Sequence, residues 1–207
     1  MIEQWILVRH GETLDNLRGV TQGWNDSALS EAGQQQVQAL ARRVRAVGAT
    51  ALFTSSLPRA LATAQAIATE TGLSITPLDD LREMNCGKWE GRSFMKIREE
   101  EPEAYRRWIS DPEASCPEGE SHADLLKRVK RAFEIISAAD GRAGSRPLIV
   151  SHGMAIRVAA TALLEIPLTA ARNFAQDNAA LNVFVRRGSR LVLQLWNDTT
   201  HVVVGCR

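Results

Sequence analysis

No charge of either sign dominates this chain. Lys and Arg number 25 against 24 Asp and Glu, a formal net charge of +1, so there is no global basic field to hold nucleic acid or an anionic membrane. Any anion site has to be a local cluster. Long apolar runs are missing too. The opening Met1-Ile2-Glu3-Gln4-Trp5-Ile6-Leu7-Val8 stops at Arg9, well short of the roughly eighteen residues of a membrane span, and it carries an acid where a secretory leader needs positive charge. Cysteine is scarce. Cys86, Cys116 and Cys206 are odd in number and without close pairing, which suits a reducing cytoplasm better than a disulfide framework. Internal repeats and low-complexity tails are also absent. What is left is a chain of 207 residues, 44% hydrophobic and 24% charged, the usage of an ordinary globular domain with a substantial core. It reads as one cytoplasmic domain over residues 1–207.

Short apolar or β-branched runs recur at 5–8, 51–54, 74–78, 148–150, 181–185 and 191–196, each bounded by turn residues, and these are the expected strands. Helical patterns lie between the early ones. The stretch 30–47 opens on Ser30 as N-cap, and 57–71 has Pro58 in its first turn and Gly72 just past its end. A third helix is expected over 121–139. Strands alternating with helices imply right-handed crossovers and a mostly parallel sheet. The last two runs flank Arg187-Gly188-Ser189, a hairpin-length turn, so one edge should be antiparallel. The expected architecture is a three-layer α/β/α sandwich with a mostly parallel sheet and one antiparallel edge strand. The stretch 79–121, rich in charge, Pro, Trp and Glu, breaks the alternation and reads as a small helical lid insertion over one end of the sheet.

A His-Gly pair follows an apolar strand twice, as Arg9-His10-Gly11 and as Ser151-His152-Gly153. In an open α/β sheet the residues just past the carboxyl ends of strands line the ligand crevice, so the two imidazoles face one another there if their strands are neighbours. A third strand end, Ser55-Ser56-Leu57-Pro58-Arg59, sets Arg59 in the first turn of a helix at the same rim, beside N–H donors and the positive end of the helix dipole. Two arginines and two histidines suit a dianionic phosphoryl group, because guanidinium forks match phosphate oxygens and stay charged. Such a cluster needs no metal or other cofactor. Phosphoryl transfer depends on positioning and fixed positive charge, and an imidazole with one free nitrogen is a competent nucleophile. A carboxylic acid should stand near to protonate the leaving alkoxide and then take a proton from water. The residues alone leave Glu12, Glu83 and Glu90 open for that role.

At these positions the chain resembles the histidine phosphatase superfamily, in its phosphoglycerate-mutase-like branch. The motifs are Arg9-His10-Gly11-Glu12-Thr13 with Asn16, Gln22-Gly23-Trp24, Leu29-Ser30-Glu31-Ala32-Gly33, Ser55 to Ala60, Leu81-Arg82-Glu83, Gly87 to Gly91, Pro117 to Ser121 and Ser151-His152-Gly153. They run in the family's order along almost the whole chain. The resemblance implies that His10 is the nucleophile and that Arg9, Arg59, His152 and Asn16 hold the phosphoryl oxygens. It also implies that Glu83 is the acid and base, with Gln22, Gly23 and Gly153 among the substrate contacts. The implied activity is a phosphomonoesterase with a phosphohistidine intermediate, acting on a small phosphorylated metabolite, with neither metal nor nucleic acid nor membrane as partner. A homodimer is one state the family allows.

Plainer readings stand beside these. Ser151 lacks the glycine elbow of a serine nucleophile. Cys86 and Arg92 match a Cys-x5-Arg spacing, but Glu90 would put a carboxylate inside a loop meant to cradle an anion. His122 and His201 read as solvated surface residues, and 96–107 as a solvated helical face with i,i+4 ion pairs. Trp5 and Trp196 read as packing residues. Two rival functions remain: a cofactor-dependent phosphoglycerate mutase and a phosphate-binding regulatory module without turnover. A mutase should need a larger basic lid and a longer tail. Here eleven residues follow Trp196, and Lys88, Arg92, Lys96, Arg98, Arg106 and Arg107 are interleaved with acids, so hydrolysis is the expected chemistry.

Overall fold

The structure, a computed structural model, describes residues 1–202, so Cys206 lies outside the described residues. Strand β1 (Gln4–Arg9) is apolar on both faces because it is central: β4 (Pro147–Ser151) pairs with it in parallel and β5 (Leu181–Arg187) antiparallel. A strand covered on both sides reads as a continuous hydrophobic run rather than an alternating one. Beyond β4 lie β2 (Ala51–Ser55) and β3 (Ile75–Leu78), both parallel to it, and beyond β5 lies β6 (Arg190–Asp198), giving six strands in the order β3-β2-β4-β1-β5-β6. The expected antiparallel edge is thus the β5–β6 hairpin. Its reversed member is β5, one strand in from the rim, and β6, alternately exposed and half-buried along most of its length, closes the sheet.

Two apolar layers form by simple alternation along the strands. Ile6, Val8, Leu52, Leu148 and Val150 face α2 (Glu31–Arg45) and α3 (Pro58–Thr71), meeting Leu40, Val44, Ala64 and Ile67. Leu7, Phe53 and Ile149 point the other way, to α6 (His122–Asp140) and α7 (Gly153–Leu164), where Leu125, Val129, Ile136 and Ile156 complete the core. Helix ends follow local chemistry. The Ser30 hydroxyl accepts from the Gly33 N–H at the start of α2, Pro58 opens α3 and Gly72 ends it in the left-handed region, and Ser121 with Asp124 forms a capping box on α6.

Two helices lie outside the expected set. Helix α1 (Leu14–Arg18) is one short turn opened by a Thr13–Asn16 capping box, and α7 starts at the second His-Gly pair. The segment 79–121 holds short 3₁₀ turns, α4 (Phe94–Glu100) and α5 (Pro102–Ser110), as the lid reading expects. Its charges pair differently from the expected i,i+4 pattern. Pro102 divides the stretch into two helices, and Arg92, from before α4, bridges Glu100 and Glu101. Trp5 packs on Phe133, and Trp196 on Phe174 and Phe184. Among the described residues, no helix is long and apolar enough to cross a membrane.

Candidate active site

Parallel register brings the predicted groups together. Arg9 pairs with Ser151 and Thr54 with Val150, so the carboxyl ends of β1, β4 and β2 lie side by side and the next residues of each chain segment enter one crevice. The imidazoles of His10 and His152 stand with ring centroids 5.1 Å apart. One pocket is lined by Arg9, His10, Asn16, Gln22, Gly23, Arg59, Glu83 and Gly153. His152 stands behind it, fully buried against His10.

The loop after β1 is held tightly. Gly11 and Gly33 let this loop lie directly on the first turn of α2: a Cβ on Gly33 would overlap the Glu12 carbonyl, and one on Gly11 would meet the Gly33 carbonyl. Ser30 donates to the Glu12 carboxylate at 2.6 Å while its N–H donates to the Glu12 carbonyl. The His10 ring is then fixed through Nδ1, 2.7 Å from the Gly11 carbonyl. A carbonyl can only accept, so Nδ1 carries the proton and Nε2 keeps its lone pair. Burial, reinforced by Arg9 and Arg59, holds this imidazole well below the ordinary histidine range. The ring is neutral at neutral pH.

His152 is fixed from its other side. Its Nε2 lies 2.7 Å from the Ser55 hydroxyl at the tip of β2, and its buried Nδ1 has no protein partner. Burial, then Arg59 and His10, also lowers its pKa. The arginines are oriented by backbone carbonyls: Arg9 donates from Nη1 to Gln176, and Arg59 donates to Asn25 at 2.8 Å and to Gly23 at 2.7 Å. Each keeps a buried Nε–H without a partner. Burial lowers the Arg9 pKa to about 10, so the guanidinium stays charged at any working pH. Gly23 occupies the left-handed region at φ +54°, where a side chain would also run into the Glu90 carboxylate. Asn16, which lines the pocket, receives the Asn178 amide at 3.0 Å and the Thr13 N–H at 3.1 Å on its Oδ1. Buried polar atoms are almost always satisfied. Unsatisfied buried donors on two arginines that line one cavity therefore mark it as a candidate anion site.

Glu83 enters from the segment above. Its Oε1 accepts from the Met84 and Ala155 N–H groups at 2.9 and 3.1 Å, and its Oε2 from Met154 at 3.1 Å. It thereby caps α7, whose own N-cap, His152, makes no side-chain cap. Of the carboxylates left open by the residues alone, Glu83 is the one that lines the pocket. Glu12 is engaged by Ser30 and the Gln36 side chain by its N–H, and Glu90 receives the N–H groups of Trp24, Asn25 and Cys86.

Several functional neighbours were not foreseen. Arg128, buried on α6, donates to the carbonyls of Asp80, Arg82 and Glu83 and forms a fork with Glu120, which in turn receives the Asn85 N–H. Asn178 and the Ala179 N–H both donate to the His10 carbonyl, and Ala179 sits at φ 56°. Ser55 and Arg157 were missed as well. Ser55 had a signal, its place at the strand tip before Arg59. Arg157 had one too, its position one helical turn past Gly153.

Two histidines depart from expectation. His122 is 3% exposed, packed at a tilt against Trp108 with ring centroids 5.0 Å apart, because the lid covers the start of α6. Burial, then Arg172, pushes its pKa down to about 4. His201 is half-buried with Nε2 3.0 Å from the Ala179 carbonyl. The minor readings hold their place. Ser151 donates to the Leu81 carbonyl, and Cys86, a buried free thiol that donates to the Met84 carbonyl, is pushed up by the neighbouring Cys116 thiol and by burial, which keeps it from serving as a thiolate nucleophile. Among the described residues no three His, Cys, Asp or Glu side chains converge as a metal site would.

The family model of the histidine phosphatase superfamily (branch 1) matches residues 5–199. A probable phosphoglycerate mutase from Yersinia enterocolitica is 37% identical over 205 residues, covering 96% of this chain and 94% of the relative. A mycobacterial glucosyl-3-phosphoglycerate phosphatase, solved with VO3, superposes with a TM-score of 0.87 at 28% identity, covering 94% of this chain and 99% of that one. A phosphoserine phosphatase from Entamoeba histolytica, solved with phosphoserine, superposes with a TM-score of 0.84 at 30% identity, covering 96% and 98%.

Proposed function

The chain belongs to the histidine phosphatase superfamily, and from that premise we propose that it is a phosphomonoesterase working through a phosphohistidine on His10. One observation carries the reading. The Gly11 carbonyl fixes the proton on Nδ1 of a neutral, buried imidazole, and the free Nε2 belongs to a pocket whose arginines keep unengaged donors. In the first step Nε2 forms a bond to phosphorus as the ester P–O bond breaks, and Glu83 gives its proton to the leaving alkoxide. In the second, Glu83 takes a proton from water as the oxygen bonds to phosphorus and the P–N bond breaks. Inorganic phosphate leaves and the ring returns to its starting state. Arg9, Arg59, His152 and Asn16 stabilise the charge spread over the equatorial oxygens throughout. Arginine supplies the positive charge, so the proposed reaction runs without a metal. Buried free thiols at Cys86 and Cys116 agree with a cytoplasmic setting.

The relative named as a probable phosphoglycerate mutase supports a second reading on the same first step. Transfer to a second substrate asks for a basic roof. Here Lys88 pairs with Glu118 and Arg92 with Glu100 and Glu101, and none of the seven cations of the roof lines the pocket. Hydrolysis is the better supported. The test is turnover of an aryl phosphate with and without chelator, together with trapping of an acid-labile phosphoryl adduct. Expected are chelator-resistant hydrolysis and an adduct on His10, with both lost in His10→Ala by a factor of about a thousand or more. Interconversion of phosphoglycerates that requires a bisphosphate would establish the mutase. Phosphate binding without an adduct would establish a regulatory module.

A further inference from the structure

The pocket holds one cation that the proposed phosphoryl chemistry does not use. Arg157 lies one turn into α7, four residues past Gly153, and lines the same pocket as His10 and Glu83. Arg9 and Arg59 are tied down by backbone carbonyls. Arg157, half-buried, has no hydrogen-bond or ion-pair partner among the described residues, and its Nε is buried and unsatisfied. A guanidinium partly withdrawn from water gains from an anion, and none of the described residues offers it one. A ligand in the pocket can bring that anion.

Charge balance says what kind. Arg9 and Arg59 match the two charges of a phosphoryl dianion. The one acid lining the pocket is Glu83, which is neutral when it holds the proton meant for the leaving group. Among the groups that line the pocket, this leaves one positive charge, at Arg157, for the rest of the ligand to meet. A second phosphate would bring two negative charges to one cation. A carboxylate brings one, and its two oxygens fit the planar fork. Size points the same way. The cavity is about 190 Å³, below the roughly 300–1,000 Å³ of sites that take drug-sized ligands, and it is walled by Phe94 stacked on Trp108 with centroids 5.7 Å apart. A small ester fills such a cavity.

We propose that Arg157 grips a carboxylate of the substrate, which makes the physiological ester a small phosphorylated hydroxy or amino acid. This rests on the phosphatase reading for its turnover assay but not for its binding assay. The experiment compares matched pairs that differ in the carboxylate: phosphoserine against phosphoethanolamine, and 3-phosphoglycerate against glycerol 3-phosphate. Both kcat/KM and protection against thermal unfolding are measured, in the native chain and in Arg157→Leu and Arg157→Lys, with an aryl phosphate as reference. The native chain should favour the carboxylate member of each pair about tenfold or more. Arg157→Leu should erase that preference chiefly through KM, and Arg157→Lys should keep part of it. Equal handling of each pair by the native chain, or a preference that survives Arg157→Leu, overturns the inference. If no ester, the aryl phosphate included, is hydrolysed, the phosphatase reading fails and thermal protection alone decides on Arg157.

Discussion

The floor of the pocket takes Arg9, His10, Arg59 and Gly153 from strand ends and the turns just after them, whereas the roof, residues 79–121, takes Glu83, Cys86, Phe94 and Trp108 from short helices and turns held by distant contacts. On the floor, orientation is short-range. A neighbouring carbonyl sets the His10 tautomer, and adjacent parallel strands set the spacing of the two imidazoles. In the roof, Glu83 depends on Arg128, which reaches it from a helix on the far side of the sequence and fastens the carbonyls of Asp80, Arg82 and Glu83. On the proposed mechanism, the contrast puts the charge-stabilising half of the reaction in the sheet and leaves the proton-transferring half to packing.

That division can be broken by substitution. Glu83→Gln should lower kcat by about a hundredfold to ten-thousandfold for alkyl phosphates, whose leaving group needs a proton, and much less for aryl phosphates. An equal loss on both would remove Glu83 from proton transfer. Arg128→Leu leaves the Glu120 carboxylate and three carbonyls without their donor, and should cost about 3–5 kcal/mol in denaturant unfolding. The same variant should lower kcat for alkyl phosphates more than the phosphate affinity, because the floor is untouched; an unchanged ratio would show that the roof positions itself.

The smallest effect concerns His122 beneath the roof. Its folded pKa is lowered from the ordinary 6.5 to about 4, so the stability its neutral ring contributes is present above pH 6.5 and is lost as pH falls from 6.5 toward 4. His122→Leu should therefore lose about 2 kcal/mol less than the native chain between pH 7 and pH 5. Identical acid sensitivity in the two chains would mean that the lid opens before this ring takes a proton.

The same division explains what the sequence makes legible. Strand–His–Gly repeats and the Ser55 to Arg59 turn are local patterns, and they sufficed to assemble Arg9, His10, Arg59 and His152 because parallel neighbours put strand tips at one level. Strands and long helices were likewise readable from periodicity and caps. Residue chemistry alone leaves Glu83 one of three acids and only the family resemblance singles it out, since no periodicity reports which loop folds back on a helix start. His122 looked polar in its chain neighbours and became buried through Trp108, which is fourteen positions earlier in the sequence. Arg157 and Arg128 look like ordinary helix-surface cations on the page, and only the faces their helices turn inward give them away.

The direction of β5 has one further consequence. In a wholly parallel sheet, a strand beside β1 would begin at the opposite, empty end of the molecule. Because β5 runs the other way, the loop that precedes it arrives at the strand tips, so Gln176 can hold Arg9, and Asn178 can brace both Asn16 and the carbonyl of His10. A single reversal of chain direction thus recruits the last third of the polypeptide to steady the proposed nucleophile, which is encoded in the first ten residues.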